Sequence, residues 1–119
     1  INDQAVADYL ARFDQNDTMT RVRQHLIEAL VDGRPDQASI ARALNLSLRQ
    51  LQRELADQGT SFRQVTEDVR RDLAMSYLRE RQKSIGEISW LLGYTEPANF
   101  SRSFKKWTGQ TPKVFREAS

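Results

Sequence analysis

Residues 84–109, SIGEISWLLGYTEPANFSRSFKKWTG, decide the fold. Ile85, Ile88, Leu91 and Leu92 recur at three- and four-residue steps and draw one apolar stripe along a short helix. Gly93 ends that helix, because glycine tolerates the positive φ found just past a helix C-terminus. Tyr94 fills the turn. Thr95 offers a hydroxyl suited to an N-cap. Pro97 falls in the first turn of a second helix, where its missing N–H costs nothing. Phe100, Phe104 and Trp107 make the buried stripe of that helix. Asn99, Ser101, Arg102, Lys105 and Lys106 are left facing outwards. Two helices joined by a tight turn, the second with a polar and basic outer face, is helix-turn-helix grammar.

One such pair is common among amphipathic helices. The stronger observation is that the chain carries it twice. Residues 36–59, DQASIARALNLSLRQLQRELADQG, repeat the pattern. Ile40 and Leu44 match Ile88 and Leu92. Ala41 matches Ser89, both small where two helices cross closely. Asn45 matches Gly93, asparagine being the next best residue for a left-handed backbone. Leu46 and Ser47 match Tyr94 and Thr95. Leu51-Gln52-Arg53 matches Phe100-Ser101-Arg102, with one extra residue in the second copy. Leu55 and Phe104 follow, and Gly59 and Gly109 close the two copies.

Working outward, residues 61–80 read as one long helix. Phe62, Val65, Val69, Leu73, Tyr77 and Leu78 are its expected buried set. Arg63, Glu67, Asp68, Arg70, Arg71 and Asp72 are assigned to its exposed faces. Twenty residues at 1.5 Å each make a rod of about 30 Å, close to the roughly 34 Å repeat of B-DNA. Upstream, Val22, Leu26, Ile27 and Leu30 line a helix over residues 20–32, ended by Asp32-Gly33. Asp14 to Thr20 is polar and reads as a linker. Val6, Tyr9, Leu10 and Phe13 give residues 1–17 helical spacing. A linker helix resting on a neighbouring domain is the preferred reading there, over docking to a partner subunit. Downstream, Thr111 and Pro112 start a short last helix with Val114 and Phe115 inside, while Lys113 and Arg116 are within reach of phosphate.

Asp36 or a neighbour caps the helix 37–44, and Ser47 caps the one that follows. Leu48, Leu51 and Leu55 are the expected buried side of that second helix. Arg49, Gln50, Gln52 and Arg53 fall on its outer face. These side chains match base edges in the major groove, Arg to guanine O6 and N7, Gln to adenine N6 and N7. A merely solvated helix face is the competing reading. The turn before it and the second copy after it favour DNA.

The charge is distributed accordingly. The 119 residues carry a net +2. Residues 1–33 hold six acids and three bases, and residues 34–119 hold fifteen bases and ten acids. The excess therefore lies with the two repeats, as expected of the part that meets phosphate. Apolar residues at 39% suffice for a small core. With no cysteine there is no disulfide framework and no thiolate metal site. The absence of cysteine is compatible with a reducing cytosol. No apolar run is long enough to span a membrane. The Ile start without a charged-then-apolar leader is read as a fragment of a longer chain.

The chain resembles the DNA-binding domain of the AraC/XylS family of bacterial transcription regulators. The residues carrying the resemblance are Ile88 to Tyr94, Phe100 to Gly109, and Thr111-Pro112. It extends over about residues 20–117. The implied fold is all-α, homeodomain-like and AraC-type, with two helix-turn-helix subdomains on a long connecting helix. The expected organisation is 1–19 as a linker helix from a missing upstream domain, 20–60 and 81–119 as the two subdomains, and 61–80 as the connecting helix. The resemblance implies sequence-specific binding of one asymmetric double-stranded site by a monomeric unit, with one subdomain per major groove. It also implies activation through contact with RNA polymerase. A small-molecule effector would act only through the missing N-terminal domain.

Carried over by motif, the base readers are Arg49, Gln50, Gln52 and Arg53 in the first repeat. In the second they are Glu96, Ala98, Asn99 and Arg102. Ser47, Thr95, Ser101, Lys105 and Lys106 are phosphate candidates. Ala98 offers only a methyl, to thymine. Glu96 has two readings, acceptor from cytosine N4 or helix cap, and the cap is preferred.

An all-helical module docking on polymerase without reading bases is the alternative. An enzyme is disfavoured. There is no Gly-rich phosphate loop, no metal cluster and no cofactor motif. The single histidine, His25, lacks the partner ligands a zinc site needs.

Overall fold

Both turns expected from the repeats form, and by the same hydrogen bonds. The computed structural model describes residues 3–119, which leaves Ile1 and Asn2 of the expected 1–19 segment outside the described residues. Among the described residues the chain is all helical. In order these are α1 (Gln4–Leu10), α2 (Thr18–Leu30), α3 (Gln37–Ala43), α4 (Leu48–Asp57), α5 (Phe62–Glu80), α6 (Ile85–Leu91), α7 (Pro97–Thr108) and α8 (Pro112–Glu117). At the end of α3, Asn45 N donates to Arg42 O at 3.0 Å and Leu46 N to Ala41 O at 2.9 Å. At the end of α6, Gly93 N donates to Trp90 O and Tyr94 N to Ser89 O, both at 3.0 Å. Each is a Schellman motif, which needs a left-handed residue at its centre. Asn45 has φ 61° and Gly93 has φ 90°.

The helices start where a side chain can satisfy free N–H groups. Asp17, Asp36, Ser47, Ser61, Ser84 and Thr111 each accept a backbone hydrogen bond at an N-cap. Asp36 accepts from the Ser39 hydroxyl and from Ala38 N–H, and these bonds hold its carboxyl below the ordinary range, charged at the helix start. Thr95 is not a cap. The N-cap of α7 is Glu96, and its side chain makes no cap bond. Pro97 at N1 is already pre-set for the helix, so the start needs less support.

One continuous core runs through both units. In the first unit (α2–α4) it contains Val22, Leu26, Leu30, Leu51 and Leu55. In the second (α6–α8) it contains Ile88, Leu92, Phe100 and Phe104. Val65, Val69, Leu73 and Leu78 of α5 join the two. Each fully buried Leu or Phe contributes about 1.5–3 kcal/mol relative to exposure. Ala41 and Ser89 are both 1% exposed, the small residues at the two helix crossings.

Several burial expectations are corrected. Leu48 and Val114 are exposed, at 42% and 47%, because each sits in the first turn of its helix, beyond the edge of the core. Phe62 is half-buried at the equivalent place in α5. Trp107 is half-buried too, and its indole Nε1 donates to Glu67 Oε1 at 3.0 Å. The segment Asp14–Thr20 is not all linker, since α2 already begins at Thr18. The neighbour on which α1 rests is this chain's own α5. Ala5 and Tyr9 are buried there, Ser76 Oγ donates to Ala5 O at 2.7 Å, and Lys83 pairs with Asp3 at 2.6 Å. Burial pushes the Tyr9 phenol up to about 12.

Candidate nucleic-acid interface

The second helix of each unit presents its polar face outwards. On α4, Leu51 and Leu55 turn inwards and leave Arg49, Gln50, Gln52 and Arg53 exposed. On α7, Phe100 and Phe104 turn inwards and leave Glu96, Ala98, Asn99 and Arg102 exposed. The face assignment follows from spacing: buried positions four apart fix which side of a 3.6-residue helix meets the core.

Two of these side chains differ from expectation in whether they cap a helix. Gln50 Oε1 accepts from Ser47 N at 2.8 Å, while Ser47 Oγ accepts from Gln50 N at 3.1 Å. This capping box occupies the amide oxygen of Gln50 at the start of α4. Its NH₂ and the second lone pair of that oxygen remain free to meet a base. Glu96, for which the cap was preferred, has its carboxylate free. Arg102 is held differently, since Nη2 donates to Asn99 Oδ1 one turn earlier on the same face.

The phosphate candidates divide by exposure. Ser47, Thr95, Lys105 and Lys106 are exposed, and Ser101 is half-buried. Lys105 and Lys106 lie in the last turn of α7, where the helix dipole favours cations. Among the described residues the ion pairs join Arg71 to Asp68 and Asp72, and Lys83 to Asp3. None uses a cation of α4 or α7. Five cations on the two outer faces therefore stay unneutralised, the state a phosphate-binding surface requires.

Between the units lies an open groove of about 690 Å³, with Arg34, Arg63 and Lys106 along it and Tyr94 and Trp107 in its wall. Arg34 and Arg63 were not singled out from the sequence for DNA. Arg63 stands at the second position of α5, exposed, with Glu67 one turn further along the helix. Arg116 lies elsewhere than expected. Its Nε donates to Leu78 O at 3.0 Å and its Nη2 to Tyr77 O at 3.3 Å, so it closes the end of α5 and is spent inside the fold. Arg70 also leaves the solvent face assigned to it, donating to Leu92 O and Gly33 O. Among the described residues no group of three or more His, Cys, Asp or Glu could hold a metal ion, and no helix is long and apolar enough to cross a membrane.

Two helix-turn-helix units on one connecting helix, each offering a polar, basic helix face, define a DNA-binding domain. Comparison with known proteins gives the family. Residues 40–118 match the family described as the helix-turn-helix domain. The ornithine utilization regulator of Pseudomonas aeruginosa is 44% identical over 110 residues, which are 92% of this chain and 32% of that protein. The urease operon transcriptional activator of Escherichia coli is 33% identical over 107 residues, 90% of this chain and 36% of that protein. The crystal structure of a DNA-binding transcriptional dual regulator from Escherichia coli K-12 matches with a TM-score of 0.74 at 25% identity, covering 89% of this chain and 96% of that one. The chain belongs to the AraC family of helix-turn-helix transcription regulators. It spans about a third of the length of these curated relatives.

Proposed function

We propose that α4 and α7 enter two successive major grooves on one face of a DNA duplex and read one asymmetric site. The observation that carries this is the duplicated turn, which delivers two exposed and unneutralised helix faces from one continuous core. The span supports it. The 19 residues of α5 make about 28 Å, and the molecule is 42 Å long, against a groove repeat of roughly 34 Å. Arg49, Gln50, Gln52 and Arg53 read bases from α4. Asn99 and Arg102 read from α7, Ala98 meets a thymine methyl, and Glu96 accepts from cytosine N4. Ser47, Thr95, Ser101, Lys105 and Lys106 hold phosphate, joined by Arg34 and Arg63 across the groove between the units.

Residues 20–60 and 81–119 act as the two reading subdomains, and 61–80 as their connector. The domain binds as a monomer. In the whole protein it activates transcription, as the name of the urease operon relative suggests, and it does so by contact with RNA polymerase in a bacterial cytoplasm. An effector acts through a region outside residues 20–119. The domain has no catalytic role. The polymerase-docking alternative without base readout is not favoured, because it leaves the duplicated basic faces unused.

Selection of bound sequences from a random duplex library at moderate salt tests this reading. Two short enriched motifs about one helical turn apart are expected. A single motif would remove base reading from one helix, and no enrichment by this chain would overturn sequence-specific binding.

A further inference from the structure

One arginine ties the two units together at the wall of the groove between them. Arg70 lies midway along α5 and is half-buried. Its Nε donates to Leu92 O at 3.1 Å and its Nη2 to Gly33 O at 3.3 Å. Its guanidinium carbon stands 5.7 Å from the centre of the Tyr94 ring. Leu92 is the C-cap of α6, in the second unit. Gly33 follows the end of α2, in the first. Leu92 O is the carbonyl of a helix C-cap, where free oxygens and the helix dipole gather partial negative charge, and Gly33 O belongs to the turn that follows α2. One guanidinium fork thus joins the end of α6 in one unit to the turn after α2 in the other.

Backbone contact makes the same joint tight. A Cβ added at Gly93 would stand 2.4 Å from Leu30 O and 2.9 Å from Gly33 O. The turn of the second unit therefore touches the end of α2 directly. That turn launches α7, and the α2 end leads into α3 and α4. Any rocking of one unit against the other must open this contact and stretch both Arg70 bonds. A planar fork with two fixed donors resists such rocking, and a point-charge ammonium does not.

We propose that Arg70 is the positioning residue that sets the angle between α4 and α7, and through it the spacing of the two DNA half-sites. The proposal rests on the two-groove reading above. Its physical basis is the pitch of the duplex. Adding one base pair displaces a half-site by about 3.4 Å and rotates it by about 35°. A rigid frame cannot follow that rotation, so it selects one spacing. A frame free to pivot follows it and accepts several.

Two measurements test the joint. The chain has no cysteine, so Glu54→Cys on α4 and Lys113→Cys on α8, both exposed, give one unique spin-label pair across the units. Wild type is expected to give one narrow distance distribution, and Arg70→Met one at least about twice as broad, the loss of a two-state-free, close-packed contact. An equal width in both overturns the proposal without touching the DNA reading. The second measurement is selection from a library in which the two wild-type motifs are held and their separation is randomised. Wild type is expected to prefer one spacing by roughly tenfold over its neighbours, the scale of one mismatched base pair or more.

Arg70→Met, and equally Arg70→Lys, should keep both motifs and lose that preference. Arg70→Lys keeps the charge and the fold, so it separates geometry from phosphate contact. If Arg70→Lys kept the wild-type spacing preference, a charge alone would suffice and the fork would not be the positioning device. If wild type enriched only one motif, the two-groove reading would fail and take this proposal with it.

Discussion

The two units share a turn and differ in how the helix after it begins. In the first, Asn45 makes the turn and a reciprocal Ser47–Gln50 box starts α4. In the second, Gly93 makes the turn and α7 starts on Pro97, with the Glu96 side chain uncommitted. The first unit is packed by leucines, the second by Phe100, Phe104 and Phe115 in edge and tilted contacts at 5.3–5.8 Å. The difference teaches that one backbone device can be built with opposite commitments of side chains. Where the turn residue is free of neighbours, asparagine serves. Where another element presses on it, only glycine fits.

The largest expected effect follows from that contrast. Gly93→Ala places a methyl 2.4 Å from a backbone oxygen at φ 90°. It should cost about 2–4 kcal/mol, combining left-handed strain with a clash that backbone cannot relieve. Asn45→Ala keeps the turn at φ 61° and should cost only about 1 kcal/mol, the left-handed preference of asparagine over alanine. Urea unfolding of both variants checks the ratio. Equal costs would show that the inter-unit contact at Gly93 carries no weight.

The next effect is on recognition. Arg53→Ala and Arg102→Ala should each lose about 1–3 kcal/mol at the selected site and relax specificity at one base pair. The two arginines are prepared differently. Arg102 is held by Asn99 Oδ1, and no side-chain hydrogen bond to Arg53 is formed among the described residues. Asn99→Ala should therefore relax the same base pair as Arg102→Ala, in addition to its own. Competition binding against single-base variants of the site reads this out. If Asn99→Ala and Arg102→Ala relaxed different positions with no overlap, the pair would not act together on the DNA.

Much of this was legible in the sequence, because it depends on residues close together in the chain. The two apolar stripes, the left-handed Asn45 and Gly93, the caps at Asp36, Ser47 and Thr111, and the long helix over 61–80 all rest on local spacing. The outward faces of α4 and α7 follow from those stripes. What spacing does not carry is where a long side chain ends. Arg70 reaches carbonyls 22 and 37 residues away, and Arg116 reaches back to Leu78 and Tyr77. In sequence both are simply surface cations. Leu48 and Val114 escaped for another reason. They continue an apolar period into a first turn, where the helix has already left the core.

The smallest effect tests the capping roles of Gln50 and Glu96. Sequence assigned base reading to Gln50 and preferred capping for Glu96. The structure gives Gln50 to the cap and leaves Glu96 free. Ser47→Ala should then cost about 1 kcal/mol of stability, the usual loss of an N-cap. Gln50→Ala should cost a few tenths of that kind through the other half of the box. Glu96→Ala should leave stability within about 0.5 kcal/mol, as for a surface position without such a role, and change base preference at one pair contacted by α7. A stability loss at Glu96 equal to that at Ser47, with binding untouched, would return Glu96 to the cap. The two helices would then begin alike, and the asymmetry would lie in the turns alone.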